Sequence, residues 1–326
     1  MLAFTARRIL LSIPVLLASS ILVFFLVSSG ADPLEDLRAR NPPVPPATIK
    51  NLEHQLRLDE ALPLRYWHWL TGVLHGDFGF SRQFNNNVGT ELGARLGATL
   101  RLVLMAALLA VIFAVVTGVV SAVKQYGAAD YSLTLTGFLF LSLPTAGFGL
   151  LLKQLAVSIN DSSGSRLFST IGEATPGLQG GLLTRLGDQA GHLVLPVITL
   201  ALISYASWSR FQRASMLEVL NSDYIRLARS KGISRFRVMV RHALRTALVP
   251  LTTVVAIDFA GLLGGAVITE TIFQWRAMGD FGIRAITRGD VNSVQAWLIV
   301  TAVLVVAFNL VADLLYAVLD PRIRYA

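Results

Sequence analysis

The stretch NSDYIRLARSKGISRFRVMVRHALRTALVP, residues 221–250, decides how the rest of the chain is read, because it is long, basic and enclosed by strongly apolar runs. It carries too much charge to lie in lipid. Asn221, Ser222 or Asp223 is suited to cap a short helix on which Tyr224, Leu227 and Ala228 share a face, and Gly232 falls where a left-handed stop belongs. Ser234 opens a second helix. Its apolar positions, Phe236, Met239, Val240, Ala243, Leu244, Ala247 and Leu248, recur at three and four residues until Pro250. Arg237, Arg241 and Arg245 form another stripe of that helix, where like charges four apart repel by a few tenths of a kcal/mol, about 0.2–0.5 per pair. Such a stripe suits an acidic partner or anionic headgroups.

On either side, the chain reads as membrane protein. Hydrophobic residues make up 54% and charged residues 15%, and several apolar runs reach the 18 or more residues expected of a spanning helix. We expect an all-α polytopic fold with six transmembrane helices at residues 9–29, 102–123, 131–152, 192–209, 247–269 and 294–312. The first follows Arg7 and Arg8 and is too long for the core of a cleaved signal. Residues 30–95 form a polar external loop with a stiff, extended proline-rich opening and a short helix near 63–74 in which Tyr66, Trp67 and Trp69 suit the membrane interface, Trp67 and Trp69 either as headgroup anchors or as contacts to a partner. A second external loop, 156–191, is rich in Gly, Ser and Thr, and the basic loop 210–249 is cytoplasmic. Gly261, Gly264 and Gly265 permit close helix approach.

The formal net charge is +8, but the basic residues gather beside the spans, so membrane topology explains them and nucleic acid does not. Arg7, Arg8, Lys124, Arg210, Arg213, the loop cations, Arg322 and Arg324 would all lie inside, which puts both termini in the cytoplasm. Ser81 and Ser165 would then be reachable from outside and Ser234 would not. There is no cysteine, the five histidines lack metal-site spacing, and no G-x-x-x-x-G-K-[ST], H-E-x-x-H or G-x-S-x-G sequence occurs. Enzymatic activity is therefore the least supported class, and no catalytic residue or metal is assigned.

Four separated motifs carry a family resemblance. Ala228 and Gly232, followed by His242, Ala243, Leu244, Arg245 and Pro250, form one. Leu58, Asp59, Pro63, Tyr66 and Trp69, then Gly76, Asp77, Gly79 and Ser81, form another. Gly264, Gly265, Glu270, Phe273, Trp275 and Gly279 form the third, and Asp313, Tyr316, Asp320, Pro321 and Arg322 the last. Together they resemble the dipeptide and oligopeptide permease subunits of ABC importers, including the cytoplasmic "EAA" coupling loop. The match departs from the family at Arg226 and Leu227, which replace the first two letters of that loop, and at Arg276 and Ala277, which replace a Pro-Gly turn.

The resemblance implies a type I importer permease forming half of a translocation pathway in a prokaryotic plasma membrane. Its implied partners are a homologous second permease subunit, two ATP-binding subunits that would hold ATP and Mg, and an external peptide-binding protein, all around a lipid bilayer. Asp223, Tyr224, Arg226, Ala228, Arg229, Lys231, Gly232, His242 and Leu244 would couple to the ATPase. The cargo would be dipeptides or oligopeptides, with nickel and glutathione permeases sharing the same motifs. A stand-alone secondary transporter or channel is the rival, although the internal symmetry common in such transporters is not evident.

Four residues are candidates for the translocation pathway. Asp258 lies near the middle of the fifth span and must face something polar, either another helix or the cavity wall. Ser142 and Pro144 interrupt the third span, as a gate or as a packing kink. Glu270 closes the fifth span within the third motif.

Overall fold

A computed structural model describes residues 2–30, 32–39, 41–81 and 83–319. Asp320, Pro321, Arg322 and Arg324, on which part of the family match and the placement of the C-terminus rested, lie outside the described residues. The helices run α1 Leu2–Gly30, α2 Glu35–Arg38, α3 Pro46–Gln55 and α4 Leu62–Leu74, followed by a two-stranded antiparallel pair, β1 Phe80–Ser81 with β2 Asn86–Asn87. Next come α5 Val88–Val123, α6 Ala128–Ser142, α7 Thr145–Ser163, α8 Leu182–Leu220 and α9 Asp223–Ser230. The one-turn α10 Arg235–Arg237 leads through a π-helical segment, Val238–Ala243, into α11 Leu244–Ile272, and α12 Met278–Thr287 and α13 Val291–Leu319 complete the chain.

Among the described residues, five helical runs are long and apolar enough to cross a membrane: Thr5–Gly30, Val88–Val123, Leu182–Leu220, Arg235–Ile272 and Val291–Leu315. The bent pair α6–α7 makes up to six. Residues 131–152 were expected to form one span, but the helix breaks at Leu143 and Pro144 and turns through 104°. Proline disfavours helical ψ in the residue before it and offers no N–H, and both residues here are extended, with ψ 126° and 142°.

Other boundaries also move. The proline-rich run does not stay extended, since Pro46 starts α3, where its missing N–H costs nothing. The loop expected at 156–191 shrinks, because α7 continues to Ser163 and α8 begins at Leu182. The expected loop 210–249 is mostly helical, and Pro250 sits inside α11 without ending it. At 1.5 Å per residue, the 36 residues of α5 and the 39 of α8 reach about 54 and 58 Å, well beyond a hydrocarbon layer of about 30 Å.

The chain divides into two compact units. One comprises the described residues of 1–8, 98–276 and 307–326, and α8 and α11 are its most extensively packed helices. Gly265 alone of the three clustered glycines is closely approached, by Leu200 of α8; Gly261 and Gly264 face open space.

The other comprises the described residues of 9–97 and 277–306. Its core joins Val88, Leu92, Met278, Phe281 and Ala296. Phe84 stacks on Phe281 at 4.9 Å, and the Arg95 guanidinium lies 4.8 Å from the Phe84 ring centre, a cation–π geometry. Tyr66 and Trp69 of α4 turn inward onto Phe24 of α1, each at 5.5 Å, while Trp67 stays exposed. Of the three aromatic residues, only Trp67 is left outward-facing.

Candidate functional site

The basic stretch folds into a short helix clamped against the ends of long ones. Ser222 occupies the N-cap position of α9, but its hydroxyl donates back to the Val219 carbonyl at 2.6 Å and makes no cap. Asp223 in the first turn pairs with Arg226 at 2.7 Å; both are exposed, so the pair contributes little beyond the favourable place of an acid at a helix start.

The stop at Gly232 has the complete geometry of a left-handed cap. Its φ is +74°, its N–H donates to the Arg229 carbonyl at 3.0 Å, and the next N–H, of Ile233, donates to Ala228 at 3.4 Å. Ile225 and Ala228 face inward, joining Met216 of α8, Ala122 of α5, and Val238, Ala243 and Ala247 in one apolar cluster. Tyr224 and Leu227 instead point out, at 44% and 57% exposure, beside exposed Arg226, Arg229 and Lys231. The face drawn through Tyr224, Leu227 and Ala228 is thus divided: only Ala228 packs within the chain, and the other two are available to a partner.

The second helix is phased differently from its sequence period. Val238, Ala243 and Ala247 are buried, whereas Phe236 is 72% exposed and Val240 43%. A π turn inserts an extra residue, so burial steps by five between Val238 and Ala243 before returning to four. His242 and Leu244 are half-buried at this junction.

The four pathway candidates do not form one site. Asp258 accepts a hydrogen bond at 2.8 Å from the indole Nε1 of fully buried Trp208, which ties α11 to α8. Glu270 lies twelve residues, about 18 Å, further along the same helix. It is fully buried and accepts from the Thr99 hydroxyl at 2.7 Å, so it belongs to packing within the chain and not to an open wall. Its carbonyl also receives the Trp275 N–H at 2.7 Å across Gln274, whose φ is +51°, and this turn closes α11. Ser142 is exposed, its hydroxyl turned back to the Leu139 carbonyl, and Pro144 opens α7 at the bend.

A buried carboxylate, Asp130, pairs with Arg213, which the sequence presents only as an inner-face cation. Asp130, 3% exposed at the start of α6, receives Arg213 of α8 through Nε at 2.8 Å and Nη2 at 2.7 Å. The Tyr126 N–H donates to the same carboxylate at 3.0 Å, and Ser121 of α5 donates its hydroxyl to it. A bidentate arginine with further donors is the arrangement that compensates a buried carboxylate. The available signal was an acid opening an apolar run just after a tight turn, but its partner is 83 residues away. Among the described residues, no group of three or more His, Cys, Asp or Glu side chains is placed to hold a metal.

Residues 114–325 match the family described as "Binding-protein-dependent transport system inner membrane component", and residues 1–89 match its N-terminal counterpart. The chain is 41% identical over 321 residues to the oligopeptide transport system permease protein OppB of Mycobacterium tuberculosis (strain ATCC 25618 / H37Rv), covering 98% of each. It is 36% identical over 345 residues to the dipeptide transport system permease protein DppB of Escherichia coli (strain K12), covering 100% of this chain and 99% of that one. In fold it is similar to a chain of the MetNI methionine ABC transporter solved in inward-facing conformations, with a TM-score of 0.52 at 14% identity over 70% of this chain and 96% of that one.

Proposed function

Because the chain belongs to the family of binding-protein-dependent transport system inner membrane components, we propose that it forms half of a membrane pathway importing short peptides, driven by ATP hydrolysed in separate subunits. The observation that carries this reading is the two-sided α9. One side, Ile225 and Ala228, is embedded among the ends of α5, α8 and α11; the other, Tyr224 and Leu227 among arginines, is left open. A short helix so anchored transmits force, because any displacement imposed on its open side moves the long helices with it. Two ATP-binding subunits holding ATP and Mg would supply that displacement from the cytoplasm.

Peptide cargo is supported by the names of the relatives, which are oligopeptide and dipeptide permeases. An external binding protein would deliver the cargo, and a homologous second permease subunit would complete the pathway. The open side of α11, where Ile257, Gly261, Gly264 and Ile268 recur at helical spacing, supports a membrane-embedded neighbour of that kind. Both termini would then be cytoplasmic in a prokaryotic plasma membrane.

The test is reconstitution of the purified complex in liposomes with the external binding protein and labelled peptides. Uptake should require ATP on the side of α9 and should cease when the ATP-binding subunits are omitted. Uptake by this chain alone without ATP would overturn the importer reading in favour of a secondary transporter. ATP-dependent uptake of nickel or glutathione in preference to peptides would overturn the cargo assignment.

A further inference from the structure

The unit formed by α1, the segment 32–97, α12 and the start of α13 contains a cavity of about 600 Å³, within the 300–1,000 Å³ typical of small-molecule sites. Its apolar side is built by Phe24, Trp69 and Phe78. Arg57, Arg65 and Arg288 also line it, and among the described residues none of their three guanidinium groups has a hydrogen bond or ion pair. Burial pushes the Arg65 guanidinium below its ordinary value, against the opposing charge of Glu60, so part of its hydration is already lost. Arg57 occupies the left-handed stop of α3 at φ +54°, where its N–H meets the His54 carbonyl at 3.1 Å and the Leu58 N–H meets Glu53 at 2.8 Å. Glycine is the usual residue there, and a bulky side chain at such a φ is strained.

The carboxylates in the wall are otherwise engaged. Asp290 receives the Ser81 hydroxyl at 2.5 Å and the Ser293 N–H at 3.3 Å, and Asp77 receives the Gly79 N–H at 2.9 Å. A carboxylate answers the three arginines, and Asp77 and Asp290 in the same wall disfavour a ligand that carries only negative charge.

We infer that this cavity binds the carboxyl-terminal end of a short peptide, with Arg57, Arg65 and Arg288 receiving the carboxylate and the aromatic side holding the terminal side chain. The inference rests on the peptide reading for its choice of ligand, but the site is testable without transport.

The probe is trialanine, titrated calorimetrically into the complete permease complex in phosphatidylcholine nanodiscs, without ATP or external binding protein. Trialanine should bind, and trialanine amide should bind at least about tenfold more weakly. Arg65→Gln and Arg288→Gln should each weaken the acid by a similar factor and affect the amide little. Arg57→Gly removes the charge while relieving the backbone, so its loss of binding cannot be ascribed to misfolding. No binding of trialanine, equal binding of acid and amide, or unchanged binding by the triple variant would overturn the site. So would a phospholipid retained by the wild type and released by the variants in native mass spectrometry, or variants that lose only docking of the external protein. ATP-driven uptake of trialanine by the same complex separates the two readings: uptake without binding overturns this site and leaves peptide import standing, whereas binding without uptake supports the site and counts against import.

Discussion

Trp208 and Asp258, fifty residues apart, join the two most extensively packed long helices through a single hydrogen bond, from the indole Nε1 to Oδ2 at 2.8 Å. The indole is fully buried, so the acid does structural service whether or not it also faces cargo.

Asp258→Leu should therefore lower the thermal stability of the assembled complex, since it strands a buried donor at a cost of about 1–3 kcal/mol. Asp258→Asn keeps an acceptor and should remain close to wild type. In the double variant Trp208→Phe/Asp258→Leu part of the loss should be recovered, which a thermal melt of the four proteins checks. Charge dependence is read separately: if Asp258 also lines the cavity, Asp258→Asn shifts uptake between basic and acidic peptides, and equal wild-type rates for both leave it a structural role only.

Gly232→Val should uncouple transport from ATP hydrolysis. A new Cβ there meets nothing within 4 Å, so the penalty, at least about 1 kcal/mol, comes from the positive φ and not from a clash. Gly232→Asn, which tolerates that φ, should retain much of the activity. The measurement is ATPase stimulation and uptake by complexes that still dock the external binding protein; normal stimulated transport by a folded Gly232→Val complex would remove the coupling role.

Arg213→Ala should be the most damaging of these changes to folding. It leaves the Asp130 carboxylate buried without its cation, a defect costing about 3–5 kcal/mol. Arg213→Ala/Asp130→Ala should recover part of the yield of intact protein, because the isolated charge is gone. Size-exclusion profiles of the membrane-extracted variants test this, and identical profiles for single and double variants would contradict it.

Orientation can be measured by cysteine labelling, because the chain has no cysteine of its own. Ser81, an attractive loop position by sequence, is fully buried against Asp290 and should label poorly. Lys50→Cys and Ser165→Cys are exposed and should react with an impermeant maleimide added to intact cells, whereas Ser234→Cys should react only after the membrane is opened. The reverse pattern would invert the topology.

The sequence by itself determined the features that depend on near neighbours. Long apolar runs had to become helices and Gly232 had to end one that Ile233 could not, whereas Pro144 breaks its helix and Pro250 does not. The first two follow from desolvation or from the allowed angles of one or two residues. Tertiary structure decided which side of each helix is spent inside. The π turn at Val238–Ala243 rephases the second helix, so that Val238 is buried and Phe236 left outside. A period of 3.6 residues carries no signal for an inserted residue. Likewise, Asp130 with Arg213, Glu270 with Thr99 and Asp258 with Trp208 lie 83, 171 and 50 residues apart. Sequence shows that each acid requires a polar partner, because an unpaired charge in an apolar setting is costly, but only the packing of the helices selects which one.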